Sequence, residues 1–326
     1  MKRLGRFLYK LIGPLVFLGL IWFTDLSQVG EVWKRGRPLL LIAAAGINIL
    51  VILVKGWRWR RLLTYQGIDY GFAPAARYYA IGCALGAWTP GRLGDFSRAI
   101  AVQKDCKVGL GRAASSVIAD RLLDAVVLGG VAAVGAAVLP LRHNLWIGGA
   151  GLVAVAITAW VVFRRIQAGG AGAAVRSGAV RIAGVMGTSE RMKRLGASAD
   201  DVGAAIDSLV MLVRPRRVMV LATVAATLLV YLQGYLVAHS LGMEVGFWRL
   251  AVALSAVSIA SLIPVTVAGI GTREAVLALF LTPAGVTMPE IIGFSLVYFM
   301  LISGSLALIG ATAWVLTPVS NVRVLP

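Results

Sequence analysis

The chain has 326 residues, 59% of them hydrophobic and 14% charged, with a mean hydropathy of +0.85. A soluble domain carries roughly 25% charged residues, so this composition excludes a soluble globular enzyme and a disordered chain; the spread of apolar residues over the whole length excludes a protein with a single anchor. The net charge is +18, which basic loops facing anionic lipid explain better than nucleic acid does.

A spanning helix takes about 20 apolar residues, and runs at 11–24, 38–54, 117–139, 145–163, 218–240 and 291–316 read as spans. They are continuous, without the alternation of a membrane β-barrel. The first follows Lys2, Arg3, Arg6 and Lys10 with no small-residue cleavage site behind it, so it reads as a retained helix. The KGWRWRR run at 55–61, with Trp57 and Trp59, reads as an interfacial belt. Two further stretches, 75–98 and 250–281, are broken by Pro and Gly and read as re-entrant pairs of half-helices. The polar segment 164–217 reads as an amphipathic cytoplasmic connector. The expectation is an all-α polytopic membrane protein with about six full spans and two re-entrant broken-helix pairs. It forms a single membrane domain over 1–326, with one inverted repeat at 38–139 and the other at 218–316.

Loop charges orient this scheme. With both termini cytoplasmic, 24 of the 32 basic residues fall on the cytoplasmic side and five outside. The remaining three, Arg92, Arg121 and Arg273, sit at membrane depth. A cytoplasmic (inner) membrane location follows.

Charges inside a membrane are rarely idle. In WTPGRLGDFSR (88–98), Pro90 and Gly91 stop a helix, Arg92 follows, and Gly94-Asp95 opens the next, with Arg98 three residues on. Freed N–H groups and two arginines suit a phosphate head group; alternatively Arg92 and Arg98 snorkel outward and pair with Asp95. IPVTVAGIGTREA (263–275) has the same grammar: Pro264 ends a half-helix, Gly269 and Gly271 allow a tight turn, Thr272 can cap, and Arg273-Glu274 follow. Ser255, Ser258 and Ser261 recur every third residue and line either a polar path or a close helix contact. Asp120 and Asp124 share a face with Arg121 beside them, as a proton-coupling pair or an ion-pair network with Arg92, Arg98 or Arg121 would; Glu274 is the other proton-carrier candidate. Cys83, Cys106, His143 and His239 form neither a disulfide framework nor a metal cluster. There is no GxxxxGK[ST], GxSxG or HExxH, so no cofactor, no metal and no catalytic residues are expected, and no enzyme activity.

PGRLGDFSRA (90–99), ADRLLD (119–124) and the Pro-x4-Gly-x-Gly-x-Arg-Glu of 264–274 resemble the transmembrane region of the lysylphosphatidylglycerol synthase family, also known as flippase-like domain proteins. The resemblance covers roughly 35–316. It implies a flippase-type fold, like the membrane part of multiple peptide resistance factors, which is implicated in moving aminoacylated phosphatidylglycerol between leaflets. The chain ends at Pro326, about ten residues past its last span, so synthase activity is not carried over. Matching positions are Pro90, Gly91, Arg92, Gly94, Asp95, Arg98, Asp120, Arg121, Asp124, Gly269, Gly271, Arg273 and Glu274. Asp95 stands where many relatives are expected to have Glu.

These observations lead to an ATP-independent lipid translocase. Its cargo is an anionic phospholipid, an aminoacylated phospholipid or a polyprenyl-phosphate-linked lipid. The head group binds at Arg92, Arg98 and Arg273 with Gly91, Gly94, Gly269 and Gly271; Asp95, Asp120, Arg121, Asp124 and Glu274 serve proton coupling or ion pairing. The alternatives are a non-transporting scaffold for a lipid- or glycan-modifying enzyme, or an integral membrane transferase. A homodimer is compatible with the Gly-rich helices.

Overall fold

A computed structural model of the chain describes residues 26–138, 216–261 and 271–316. Among these there are nine α-helices and no strand. They are α1 (Leu26–Lys34), α2 (Pro38–Tyr65), α3 (Phe72–Trp88), α4 (Ser97–Cys106), α5 (Leu110–Val138), α6 (Arg217–Ser240), α7 (Phe247–Ala260), α8 (Thr272–Leu281) and α9 (Met288–Val315). A 3-10 segment, Pro90–Phe96, links α3 to α4. The spans expected at 11–24 and 145–163, nearly all of the connector at 164–217, and the centre of the second break with Pro264 and Gly269 lie outside the described residues.

Three helices, α2, α6 and α9, are long and apolar enough to cross a bilayer. α2 opens on Pro38, whose missing N–H is no loss in a first turn. α9 opens on a Thr287–Glu290 box, in which the Glu290 carboxylate accepts the Thr287 N–H at 2.8 Å. Large apolar side chains cover the outside: Leu39, Ile42 and Ile49 on α2, Leu221 on α6, Met300 and Leu308 on α9. In water such a surface would aggregate; it belongs in lipid. α2 departs from expectation. It runs on through KGWRWRR to Tyr65 instead of ending at 54. Lys, Arg, Trp and Leu all sustain a helix, and Lys55, Arg58 and Arg60 of this run find acceptors inside the protein.

α2 and α6 lie antiparallel along their lengths. The Arg37 N–H donates to the Ser240 carbonyl at 3.1 Å, Gln233 Nε2 to the Ala44 carbonyl at 2.9 Å, and Arg58 Nη1 to Thr223 Oγ1 at 2.8 Å. Around this pair the packing is regular. Exchanging α2 with α6, α3 with α7, α4 with α8 and α5 with α9 leaves the set of packed pairs unchanged: α3 lies on α9 as α7 lies on α5, and α4 on α5 as α8 on α9. Two separate apolar clusters follow this division. One is centred on α6–α9, with Tyr231, Leu250, Leu277, Phe280 and Phe294; the other on α2–α5, with Trp59, Leu63, Tyr79, Val102 and Val117.

The first break is a hairpin with unequal arms. α3 has 17 residues and rises about 26 Å, while α4 has 10 and rises about 15 Å. The 3-10 segment folds back so tightly that a Cβ on Gly94 would sit 2.3 Å from the Leu85 carbonyl carbon, which only glycine avoids. The two ends meet again: the Tyr70 hydroxyl, just before α3, donates to Asp105 Oδ2 in α4 at 2.7 Å. α7 and α8, of 14 and 10 residues, also pack against each other.

Candidate functional site

The inward extension of α2 brings Arg58 against α5. All five guanidinium N–H groups are used. Nε donates to Asp120 Oδ1 at 2.9 Å; Nη2 donates to the same oxygen at 2.6 Å and to the Asp120 carbonyl at 3.1 Å; Nη1 donates to Asp124 Oδ1 at 2.7 Å and to Thr223 Oγ1. Arg58 is fully buried, and so is its neighbour Trp59, whose Nε1 donates to Ser116 Oγ at 3.0 Å. One turn earlier, Lys55 Nζ donates to Asp124 Oδ2 at 2.7 Å. The expected interfacial belt is therefore corrected at Trp59, while Trp57 stays half-buried beneath Arg61: Arg58 and Trp59 are core residues, and charge pairing rather than water makes the run tolerable.

Arg98, counted with the loops on sequence alone, is also buried. Its Nη2 donates to Asp120 Oδ2 at 2.9 Å, an oxygen that also accepts the Tyr79 hydroxyl at 3.1 Å. The Arg98 guanidinium lies over the rings of Tyr79 at 4.3 Å and Trp59 at 5.2 Å. Its Nε and Nη1 have no hydrogen-bond partner among the described residues. Asp95 pairs with Arg121 Nη2, and Arg92 Nε stands 3.7 Å from the same carboxylate oxygen. Asp95 fits against α3 because residue 86 is glycine: a Cβ there would lie 2.7 Å from Asp95 Oδ1. Arg92 has a φ of 55°, in the left-handed region that a non-glycine residue enters at a cost.

Each predicted residue among those described thus has a definite place, Gly269 lying outside them. Asp95, Asp120 and Asp124 each serve two cations, and Asp124 pairs with Lys55 and Arg58 rather than with Arg92, Arg98 or Arg121. Gly94 packs on the α3 backbone, with its N–H donating to Thr89 Oγ1 at 2.8 Å; Gly91 lies in the 3-10 segment. In the second break, Gly271 rather than Thr272 caps α8, at a φ of 84°, and its N–H donates to Glu274 Oε2 at 2.7 Å. Glu274 Oε1 accepts from Arg273 Nη2 at 2.8 Å and from the Ser295 hydroxyl at 2.5 Å. The Arg273 guanidinium lies 4.8 Å from the Phe299 ring centre. Sequence reasoning missed Lys55 and Arg58. It also missed a visible signal: GDFSR at 94–98 and GIGTR at 269–273 share Gly-x-x-Ser/Thr-Arg, and both arginines are the second residue of a short arm.

Between the two groups of helices is a cavity of about 260 Å³. Lys55, Arg92 and Arg121 line it from one side, Ser258 and Ser261 from α7, and Tyr298 and Phe299 from α9. Arg92 lines the cavity with Tyr298 and Phe299 of α9, and Arg273 stacks on that same Phe299 ring, so the two breaks converge on α9. Ser255, the third of the serine row, is buried behind the cavity with its hydroxyl 2.5 Å from that of Tyr231. Among the described residues no three His, Cys, Asp or Glu side chains converge where a metal ion could sit.

No curated protein matches the chain. The family model of the lysylphosphatidylglycerol synthase transmembrane region matches residues 10–310. That match spans both breaks, the α2–α5 ion-pair cluster and the cavity. The chain is an integral membrane protein that belongs to the lysylphosphatidylglycerol synthase transmembrane-region family.

Proposed function

We propose that the protein is an ATP-independent lipid translocase whose cargo head group enters the cavity while its acyl chains stay in the bilayer. The observation that carries this reading is the cavity itself. It is small and basic, its walls mix apolar with polar side chains, and it lies between two groups of helices that each have their own apolar core. At about 260 Å³ it falls below the roughly 300–1,000 Å³ of pockets that take a whole drug-sized ligand, so it fits a head group and not a lipid. The antiparallel α2–α6 pair and the exchangeable packing around it support an inverted repeat, the arrangement by which transporters rock two halves about a central site. The Tyr70–Asp105 contact supports a re-entrant first break, because the hairpin returns to the level at which it began. With both termini cytoplasmic in an inner membrane, that hairpin opens to the cytoplasm. No catalytic step is assigned to the protein.

The test is transport in reconstituted vesicles. A fluorescent anionic phospholipid should exchange between leaflets faster than in protein-free vesicles. Arg92→Ala should slow that exchange about tenfold or more, with thermal stability retained, because Arg92 is the most exposed cation of the cavity and the least firmly paired. Arg273→Ala is a poorer probe, since it leaves the buried Glu274 without its cation. Exchange at the protein-free rate with well-folded protein would reject the translocase reading.

A further inference from the structure

The charges around the cavity do not balance. Lys55, Arg58, Arg92, Arg98 and Arg121 surround three carboxylates, Asp95, Asp120 and Asp124. Among the described residues this leaves two positive charges in excess. The second break does not offset them, because Arg273 and Glu274 neutralise each other and residues 261–270 contain no charged side chain. Uncompensated charge within a protein is costly, and two like charges cost more than one. The excess is not spread evenly. Arg58 and Arg98 have side chains 0% and 1% exposed and are held in place, whereas Lys55, Arg121 and Arg92 are 17%, 22% and 39% exposed and reach the cavity. A donor is also left over at the cavity: Arg92 Nε is buried without a hydrogen-bond partner among the described residues, while the unpartnered Arg98 Nε and Nη1 and Asp95 Oδ1 lie behind the lining.

We infer that the ligand of this cavity is a lipid whose head group ends in a phosphate monoester or a diphosphate, carrying at least two negative charges, and that cationic aminoacylated head groups are excluded. This rests on the reading of the cavity as a head-group site. A monoester or diphosphate matches the excess, and its oxygens are acceptors for Arg92 Nε and the other cavity-lining cations, Lys55 and Arg121. A phosphodiester lipid carries one negative charge and leaves one cation unmatched. A lysyl-bearing lipid adds positive charge where there is already too much.

The experiment is native mass spectrometry of the full-length protein in mild detergent, titrated with three lipids of identical acyl chains: phosphatidic acid, phosphatidylglycerol and lysylphosphatidylglycerol. Phosphatidic acid is expected to bind about tenfold tighter than phosphatidylglycerol, with lysylphosphatidylglycerol weakest. Lys55→Gln and Arg92→Gln should each bring the first two within about threefold. Neither change strips a carboxylate of its last cation, so both variants should fold. Phosphatidylglycerol binding as tightly as phosphatidic acid, lysylphosphatidylglycerol binding tightest, or a preference unmoved in both variants would overturn the inference. Inorganic phosphate that displaces phosphatidic acid at equal concentration would also overturn it, by giving the site to a soluble phosphate. Reconstituted vesicles separate this from the proposed function. Tight phosphatidic acid binding without movement of any lipid removes the translocase and keeps the charge match; fast movement of the lysyl lipid does the reverse.

Discussion

Arg58 holds the α2–α5 cluster together, since it is the cation shared by Asp120 and Asp124. Arg58→Ala leaves Asp120 with Arg98 and Asp124 with Lys55 and empties a fully buried site, so a loss of about 3–5 kcal/mol is expected, read as a lowered melting temperature in detergent. Lys55→Ala removes the more exposed partner and should cost about 1 kcal/mol or less in the same measurement. Nothing in the residue types of KGWRWRR distinguishes these cases. Composition cannot separate a cation in a loop from one paired in the interior, and the carboxylates that receive Arg58 stand 62 and 66 positions further on. Arg92, Asp95, Asp120, Arg121 and Asp124 were legible because charge is rare in apolar surroundings. Their pairing was not, because it depends on which helices come together.

Apolar runs of bilayer length located α2, α6 and α9 well, because such a run has few other fates. The breaks were legible as interrupted pairs of half-helices, through Pro and Gly, but the unequal arms of the first were not. The close approach that shapes the first hairpin can be tested. Gly94→Ala drives a methyl group into the Leu85–Gly86 backbone and should prevent the hairpin from closing, giving low yields of monodisperse protein in size-exclusion chromatography. Gly130→Ala in α5 meets open space and should be neutral or raise stability by about 0.4–1 kcal/mol. The mouth of the hairpin has its own tie. Burial and the hydrogen bond to Asp105 push the Tyr70 phenol up, so it remains a proton donor throughout the physiological range. Tyr70→Phe should therefore cost about 1 kcal/mol, equally at pH 6 and pH 8.

Under the proposed translocation, the two cores pivot about the cavity that lies between them. Side chains bridge the groups near the pivot: Asn48 Nδ2 on α2 donates to Ser305 Oγ on α9 at 2.6 Å. With Cys83 and Cys106 replaced by serine, a short thiol cross-link between Asn48→Cys and Ser305→Cys should stop lipid exchange, and cleaving it should restore the rate. Exchange that persists through the cross-link would show that the groups do not move against each other there. The matching order of elements was legible and the shared Gly-x-x-Ser/Thr-Arg went unread, whereas the antiparallel α2–α6 seam needed three dimensions.

The distance along the chain between Arg58 and its acceptors also sets a schedule. A ribosome adding about 5–20 residues per second takes roughly 3–12 s to go from Arg58 to Asp120, and longer to reach Thr223, which lies 165 positions on. Throughout that interval α2 has emerged with its cations and the aspartates that neutralise them do not yet exist. The end of α2 is therefore expected to linger at the membrane surface during synthesis and to sink only when α5 arrives, so that the birth order of the helices decides when the protein can close around its own charges.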